Sequence, residues 1–497
     1  MAFWDRFTKN KKTKGKRNFY GSNTGRLYGD WNSSNSSPDG ELQNSLQILR
    51  DRSRELERNS GVINRYLQIM KEGVVGNSGF NLKVKARDED GSLDSQGNDI
   101  VESAFYKWAR KPEVTNQYTL HDLYQMVVES LCRDGEVLCQ FIRTDQGLKL
   151  SFLEPDYLNS DLNKDLDEFR SIRMGVEVNR QTMQPLAYWL RSDPYSNTVG
   201  VDSQLNGNRR IPAEDMLHIY QNSRFGATRG IPKISSVMTM IKWLSDYQYS
   251  ELVSSKASAS KMGFITSPTG DGYADSYLNG DEYQPAMEFS PGTFDQLPAG
   301  YDVKFFDPQH PTSQVSEYMK TMMRSIASGL NVSYSSLSGD LSNSSYSSAR
   351  IGIMNERDSF RMMQKFIIEH FAMPVYREWL LQAMTVDEFG IPVSRYFKFE
   401  NADQWSGRSW EAIDPLKQAQ ANSLNVSQGF ASMNDVLAQS GKDLTQHFSE
   451  LDSQEGIAEV FGIDLAFQPF GSKLNPQTGE VFDNENNNND SEGDNDD

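Results

Sequence analysis

The chain has 497 residues with a formal net charge of −18, from 68 acidic and 50 basic side chains. That length sets a soft expectation of about two to four domains with a sizeable core. A surplus of acid excludes tight sequence-independent gripping of DNA phosphates, which needs cationic neutralisation. No apolar run reaches the roughly 18 residues of a membrane-spanning helix. The opening MAFWDRFTKNKK lacks the apolar core of a signal peptide. Cys132 and Cys139 flank Asp134-Gly135, a predicted turn, and are expected to be free thiols in a reducing compartment.

Residues 1–40 read as a flexible arm. It carries a basic cluster of Lys9, Lys11, Lys12, Lys14, Lys16 and Arg17 and then a Gly/Ser/Asn stretch. From 41 to 76 apolar residues recur at helical spacing, with a break expected near Ser60-Gly61. A helix is predicted at about Leu120–Cys132. Strand-like runs are Phe80–Val84, Val137–Ile142, Leu148–Phe152, Gly175–Val178, Ala187–Leu190 and His218–Tyr220. Residues 41–230 therefore read as an α+β unit.

Thr228-Arg229-Gly230-Ile231-Pro232 opens a long helix predicted over 231–262, with Pro232 in its first turn. Residues 263–311 are broken repeatedly by Gly and Pro and read as a β-rich insert between two helices. The second helix is predicted over 312–329. Val315, Tyr318, Met319, Met322, Met323 and Ile326 form its apolar stripe, and Gly329 is placed just past its end. A segment at 330–346, rich in Ser, Tyr and Asn, has no Lys or Arg. A long helix follows, predicted from about Ser347 to Met384, with Pro374 expected to kink or interrupt it. Residues 412–470 read as a small helical unit. The tail 471–497 is too polar and acidic to fold alone.

Motifs for chemistry are missing. Gly441-Lys442-Asp443 lacks the Ser/Thr of a phosphate-binding loop. Asp161, Asn163 and Asp165 resemble the start of a calcium loop, but Leu166 and Ile172 stand where Gly and Glu are required. The five histidines show no metal-ligand spacing. No catalytic residue, metal site or cofactor is expected.

Several segments, in order, carry a resemblance: Val74-Val75-Gly76, Thr228–Pro232, Pro291–Phe294, Leu297-Pro298, Asp307–Pro311, Gly329–Leu337, Ser345–Arg350 and Ala412–Pro415. Together they resemble lambda-type tailed-phage portal proteins over roughly 45–455. The resemblance implies a helix-rich α+β portal fold. Its parts would be a wing (41–230), a stem helical hairpin (231–262 and 312–329) and a β-rich clip (263–311). A tunnel loop (330–346), a long spine helix with a wing return (347–411) and a helical crown (412–470) would follow.

The function implied is a conduit for double-stranded DNA packaging and ejection at one capsid vertex. Its expected partners are eleven further copies in a twelve-subunit ring, double-stranded DNA bound without sequence preference, the terminase large subunit, the major capsid or scaffold protein, and head-completion (adaptor) proteins. No membrane is involved. The expected location is the virion, with assembly in the bacterial host cytoplasm.

In that picture Ser335, Ser336, Asn343 and Ser344 face the channel while Leu337, Leu341 and Tyr346 anchor the loop. Lys256, Lys261, Lys320 and Arg324 place sparse positive charge in the channel or between subunits. The competing class is a cytoplasmic nucleic-acid- or peptide-processing enzyme without a recognisable motif.

Overall fold

The computed structural model describes residues 26, 35–192, 207–259, 263–266, 302–305, 312–342, 345–410, 414–439 and 444–462. The N-terminal basic cluster, Gly441–Asp443 and the acidic tail lie outside them. So does most of 263–311, including Pro291–Phe294 and Asp307–Pro311.

Helices α1 (Pro38–Leu42), α2 (Leu46–Asn59) and α3 (Gly61–Val74) open the described chain. The break predicted at Ser60 is present: its φ of −114° and ψ of 114° are extended, so the ladder stops and restarts there. Strand β1 (Asn81–Val84) follows, and then α4 (Ser95–Trp108), a helix the sequence pattern did not reveal. Helix α5 (Leu120–Arg133) starts where predicted, because Thr119 and Asp122 bond each other's backbone as a capping box.

Two antiparallel sheets fill the rest of this region. In the first, β2 (Glu136–Thr144) lies between β3 (Gly147–Leu153) and β9 (Met216–Tyr220). The second is a meander of β4 (Lys164–Asp165), β5 (Arg170–Arg173), β6 (Val176–Asn179), β7 (Pro185–Arg191) and β8 (Asn208–Pro212). Strands β4, β5 and β8 were not foreseen. They are short and carry charged residues, so the period-2 signal is weak. The Asp161–Asp165 run is taken up structurally: Asp161 pairs with Arg191 at 2.6 Å, and the Asn163 side chain accepts from Met174 N at 2.9 Å. Cys132 and Cys139 are free and buried, and burial pushes both thiols up, Cys132 to about 11.

The long helix predicted from 231 begins later. Pro232 precedes a 3₁₀ turn at Lys233–Ser236, and α6 runs over Met238–Ala259. Strands β10 (Gly263–Thr266) and β11 (Asp302–Phe305) pair antiparallel, joining Gly263 to Phe305. Helix α7 (Thr312–Gly329) returns against α6, with Tyr247 and Tyr318 edge to face at 5.1 Å.

Gly329 is not the residue past this helix end. Asn331 takes the left-handed conformation at φ 56°. Val332 N bonds Ala327 O, and Asn331 N bonds Ser328 O, at 3.1 and 3.2 Å. This is a Schellman end with Asn in the position Gly usually holds. Gly329 has another role: a Cβ there would sit 2.5 Å from Val237 Cγ1, so it lets α7 approach the start of α6.

Beyond lie α8 (Tyr334–Ser338), α9 (Tyr346–Ile367) and α10 (Met373–Thr385). Between the last two, Ile368–Ala372 form a π turn just before Pro374, which has no N–H to continue the ordinary ladder. This is the interruption expected at Pro374. Helix α11 (Tyr396–Phe399) leads to β12 (Asp403–Ser406), which pairs with β1 across more than 300 residues of chain. Phe105, Trp108, Tyr376, Trp379 and Trp405 pack together there, with Phe105 edge to face with Trp379 at 5.1 Å. The main core thus fuses α3, α4, α5 and α10 with β1 and the three-stranded sheet, while the five-stranded sheet packs a separate cluster that includes Val176, Val178, Tyr188 and Leu190. Helices α12 (Pro415–Ser427), α13 (Met433–Gln439) and α14 (Leu444–Phe461) lie within the stretch 412–470. No helix among the described residues is long and apolar enough to cross a membrane.

Candidate functional site

The segment between α7 and α9 is built by local hydrogen bonds rather than left as an open loop. Ser333 Oγ accepts from Ser336 N at 3.1 Å and starts α8. Gly339, at φ 71°, ends it. Asp340 then accepts from Ser342 N at 3.0 Å and from the Tyr334 hydroxyl at 3.1 Å. With the Ser342 hydroxyl as the largest contributor, these bonds lower its pKa to about 2.

The segment is held from behind by a residue the sequence did not single out. Glu356, on α9, accepts from Ser336 Oγ at 2.8 Å and from Ser333 N at 3.3 Å. It is buried, and burial raises its pKa. Arg65 donates to Ser336 O at 3.3 Å, and Arg324 lies 5.4 Å from the Tyr334 ring centroid.

These contacts divide the predicted site residues differently. Leu337 is buried. Leu341 is 66% exposed in the isolated chain, so nothing within the described chain lets it anchor the segment. Ser336 was expected to face outward, yet its hydroxyl is turned onto Glu356 because a buried carboxylate needs donors. Ser335 is half-buried beside Ser333, at 3.2 Å between hydroxyls. Tyr346 is the first residue of α9, capped by Ser345, whose Oγ accepts from Ser348 N at 3.2 Å. Asn343, Ser344 and the Tyr346 side chain lie outside the described residues.

Of the four predicted charges, Lys320 stands 4.0 Å from Glu317 on its own helix, and Arg324 is exposed beside Tyr334. Lys256 is exposed near the end of α6, while Lys261 lies outside the described residues.

Thr228–Pro232, singled out in the sequence only for its position, is the centre of a buried ionic junction. Arg229 is fully buried and donates to both oxygens of Glu136, with its Nη2 at 2.6 Å and its Nε at 2.9 and 3.1 Å. Glu136 also accepts from Arg50, from Gly230 N at 2.8 Å and from His218 Nε2 at 2.9 Å. Burial alone would raise the Glu136 carboxyl, but the Arg229 and Arg50 charges outweigh it and hold the group well below the usual range. Burial depresses His218, which favours the neutral ring. Asp156 and Asp134 extend the network, with Arg54 Nε 2.8 Å from Asp134.

Two chain segments cross at this point with no room for side chains. A Cβ on Gly230 would lie 2.1 Å from Gly135 O, and one on Gly135 would lie 2.3 Å from Ile231 C. The junction therefore ties α2, the end of α5 and β2 to the residues that lead into α6.

The described chain also exposes large apolar groups along its long helices. Trp243 and Tyr249 on α6 are 64% and 70% exposed, and Ile351 and Met362 on α9 are 61% and 76% exposed.

The lambda-family phage portal protein model matches residues 24–364, more than half of the chain. Among curated relatives, a probable portal protein of Halomonas phage phiHAP-1 is 27% identical over 463 residues, covering 90% of this chain and 88% of its own. The portal protein of Escherichia phage N15 and portal protein B of Escherichia phage lambda are each 23% identical, covering 86% of this chain and 87% of theirs. Solved structures that align include the neck of an empty gene transfer agent particle, at TM-score 0.40 and 13% identity, over 78% of this chain and 93% of that one. The virion of the native gene transfer agent aligns at TM-score 0.40 and 13% identity, over 82% of this chain and 96% of that one. The three curated relatives are named as portal proteins, one of them as a probable one. The chain belongs to the lambda family of phage portal proteins.

Proposed function

We propose that twelve copies of this chain form a ring at one vertex of a phage capsid, through which double-stranded DNA enters during packaging and leaves during ejection. The observation that carries this reading is the family match over residues 24–364, which spans both long helices and the segment between α7 and α9. The apolar residues exposed on α6 and α9 support it, because such groups gain from burial between neighbouring copies.

In this reading α6 and α7 form the stem and 263–311 the clip. The clip meets the terminase large subunit, and later the head-completion proteins. The wing meets the major capsid or scaffold protein. Assembly takes place in the host cytoplasm and the ring ends in the virion.

The segment at 334–345 lines the narrow part of the channel. Leu341, Asn343 and Ser344 are the positions assigned to DNA there, while Ser336 is engaged with Glu356. Between Ser325 and Ala349 there is no Lys or Arg, and Asp340 is the one carboxylate. Hydroxyls and amides exchange hydrogen bonds with water at small net cost, so a moving duplex meets a shallow energy surface.

Electron microscopy of the purified protein tests the ring. Annular particles with a central hole are expected, and compact single particles would refute it. Leu341→Lys tests the segment. Rings should assemble, but packaging with the terminase should slow at low salt and recover at higher salt. Normal packaging at low salt would remove the segment from the DNA path.

A further inference from the structure

Three guanidinium groups gather around one indole where α9 meets the segment after β12. Arg361, Arg357 and Arg408 lie 5.3, 5.7 and 6.0 Å from the Trp410 ring centroid. Phe360 stacks on the same ring at 6.2 Å. The backbone fixes the arrangement: Arg357 and Arg361 are four apart on α9 and share a face. Gln364, one turn further, donates to Arg408 O at 3.1 Å and to Val74 O at 3.0 Å, locking the Arg408 segment beside the helix.

The charges there are poorly matched. Arg361 pairs with Asp358 at 2.7 Å, on an exposed face. Arg408 donates to the Glu72 backbone carbonyl. Among the described residues neither Arg357 nor Arg408 has a carboxylate in ion-pair contact. Elsewhere this chain surrounds its buried arginines with acid, as Arg229 and Arg50 are by Glu136 and Asp156. A contact with an indole face offsets part of the repulsion and leaves the N–H edges free to donate. Burial, and the charges of Arg361 and Arg408, lower the Arg357 pKa, as like charges held together require. In a protein of net charge −18, a site that concentrates cations is best completed by an anion.

We propose that Arg357, Arg361 and Arg408, set around Trp410, form a binding site for the phosphodiester backbone of nucleic acid. Guanidinium forks match phosphate oxygens, and backbone contacts need no base readout. The site rests on the conduit reading above and adds a grip to it. It lies on α9 and on the segment after β12, where Arg357 directly follows Glu356, the residue that holds Ser336.

The test uses the full-length protein and a fluorescent 20-base-pair duplex, titrated across salt concentrations. Arg357→Gln/Arg361→Gln is compared with Arg52→Gln/Arg58→Gln, which removes the same charge from exposed positions of α2. The first variant should bind about tenfold more weakly than the second at low salt. Its log–log salt slope should fall by about 2, near 0.9 per phosphate contact. Trp410→Phe should keep the slope. Equal affinity and slope in the two double variants overturn the site and leave the cluster as internal packing. Loss of rings with unchanged duplex affinity also overturns it, because acids of a neighbouring copy then fill the arginines. Wild-type rings that bind no duplex defeat this inference and spare the ring; duplex binding without rings does the reverse.

Discussion

Replacing Glu136 with Gln removes one charge from the buried junction and almost no volume. Arg229 then loses its carboxylate partner, and Arg50 keeps only Asp156 at 3.6 Å. Both guanidiniums stay buried, at 1% relative exposure each. Gln offers one acceptor oxygen where the carboxylate served two arginines, Gly230 N and His218 with two. Breaking one partner of a buried ion pair costs about 3–5 kcal/mol, because an uncompensated charge remains. For a unit of 150–250 residues each kcal/mol shifts Tm by about 2–4 °C, so the expected loss is about 6–20 °C. The assay is thermal unfolding followed by near-ultraviolet circular dichroism, at one fixed protein concentration so that assembly does not alter the comparison. Glu136→Leu with Arg229→Met and Arg50→Met together should cost less than the single change, since no charge is stranded. A Glu136→Gln Tm within about 2 °C of wild type would refute the reasoning.

Stability should also fall as pH drops from 7 to 5. The folded state holds His218 neutral below its ordinary value of about 6.5, so the unfolded chain takes up a proton that the folded chain refuses. His218→Gln should flatten that slope; an unchanged slope in urea titrations would assign it elsewhere. Glu136 acts lower down: its depressed carboxyl stabilises above about pH 4.5, and this is lost as pH falls further. Gly329→Ala puts a methyl against Val237 and should destabilise despite the better helix propensity of Ala. Adding Val237→Ala should recover part of the loss, and strict additivity in the double-mutant cycle would refute the contact. Glu356→Ala strands Ser333 N and Ser336 Oγ, and protease cleavage within 333–342 should quicken while α9 remains intact by far-ultraviolet circular dichroism.

The amphipathic helices were legible in the sequence because burial on one face writes a 3.6-residue period into local order. Helices α3, α5 and α7, the break at Ser60 and the disturbance before Pro374 all follow from residues a few positions apart. The order of the family segments was legible too, and with it the fold class. Helix α4 and strands β4, β5 and β8 left no clear pattern, since their stability comes from neighbours that the sequence does not place beside them.

The site depended still more on tertiary structure. Glu136 meets Arg50 86 residues away and Arg229 93 residues away, and no spacing rule reaches that far. Ser336 and Leu341 read from sequence as an exposed hydroxyl and an apolar anchor. A single carboxylate 20 residues on drew the hydroxyl inward, while no partner within the described chain covered the leucine. Asn331 took over the turn expected of Gly329 because the helix packing needed glycine at 329 for close approach. Local order is written by each residue's own chemistry, whereas which surfaces meet is decided by the whole chain's packing, and the charges then follow the surfaces.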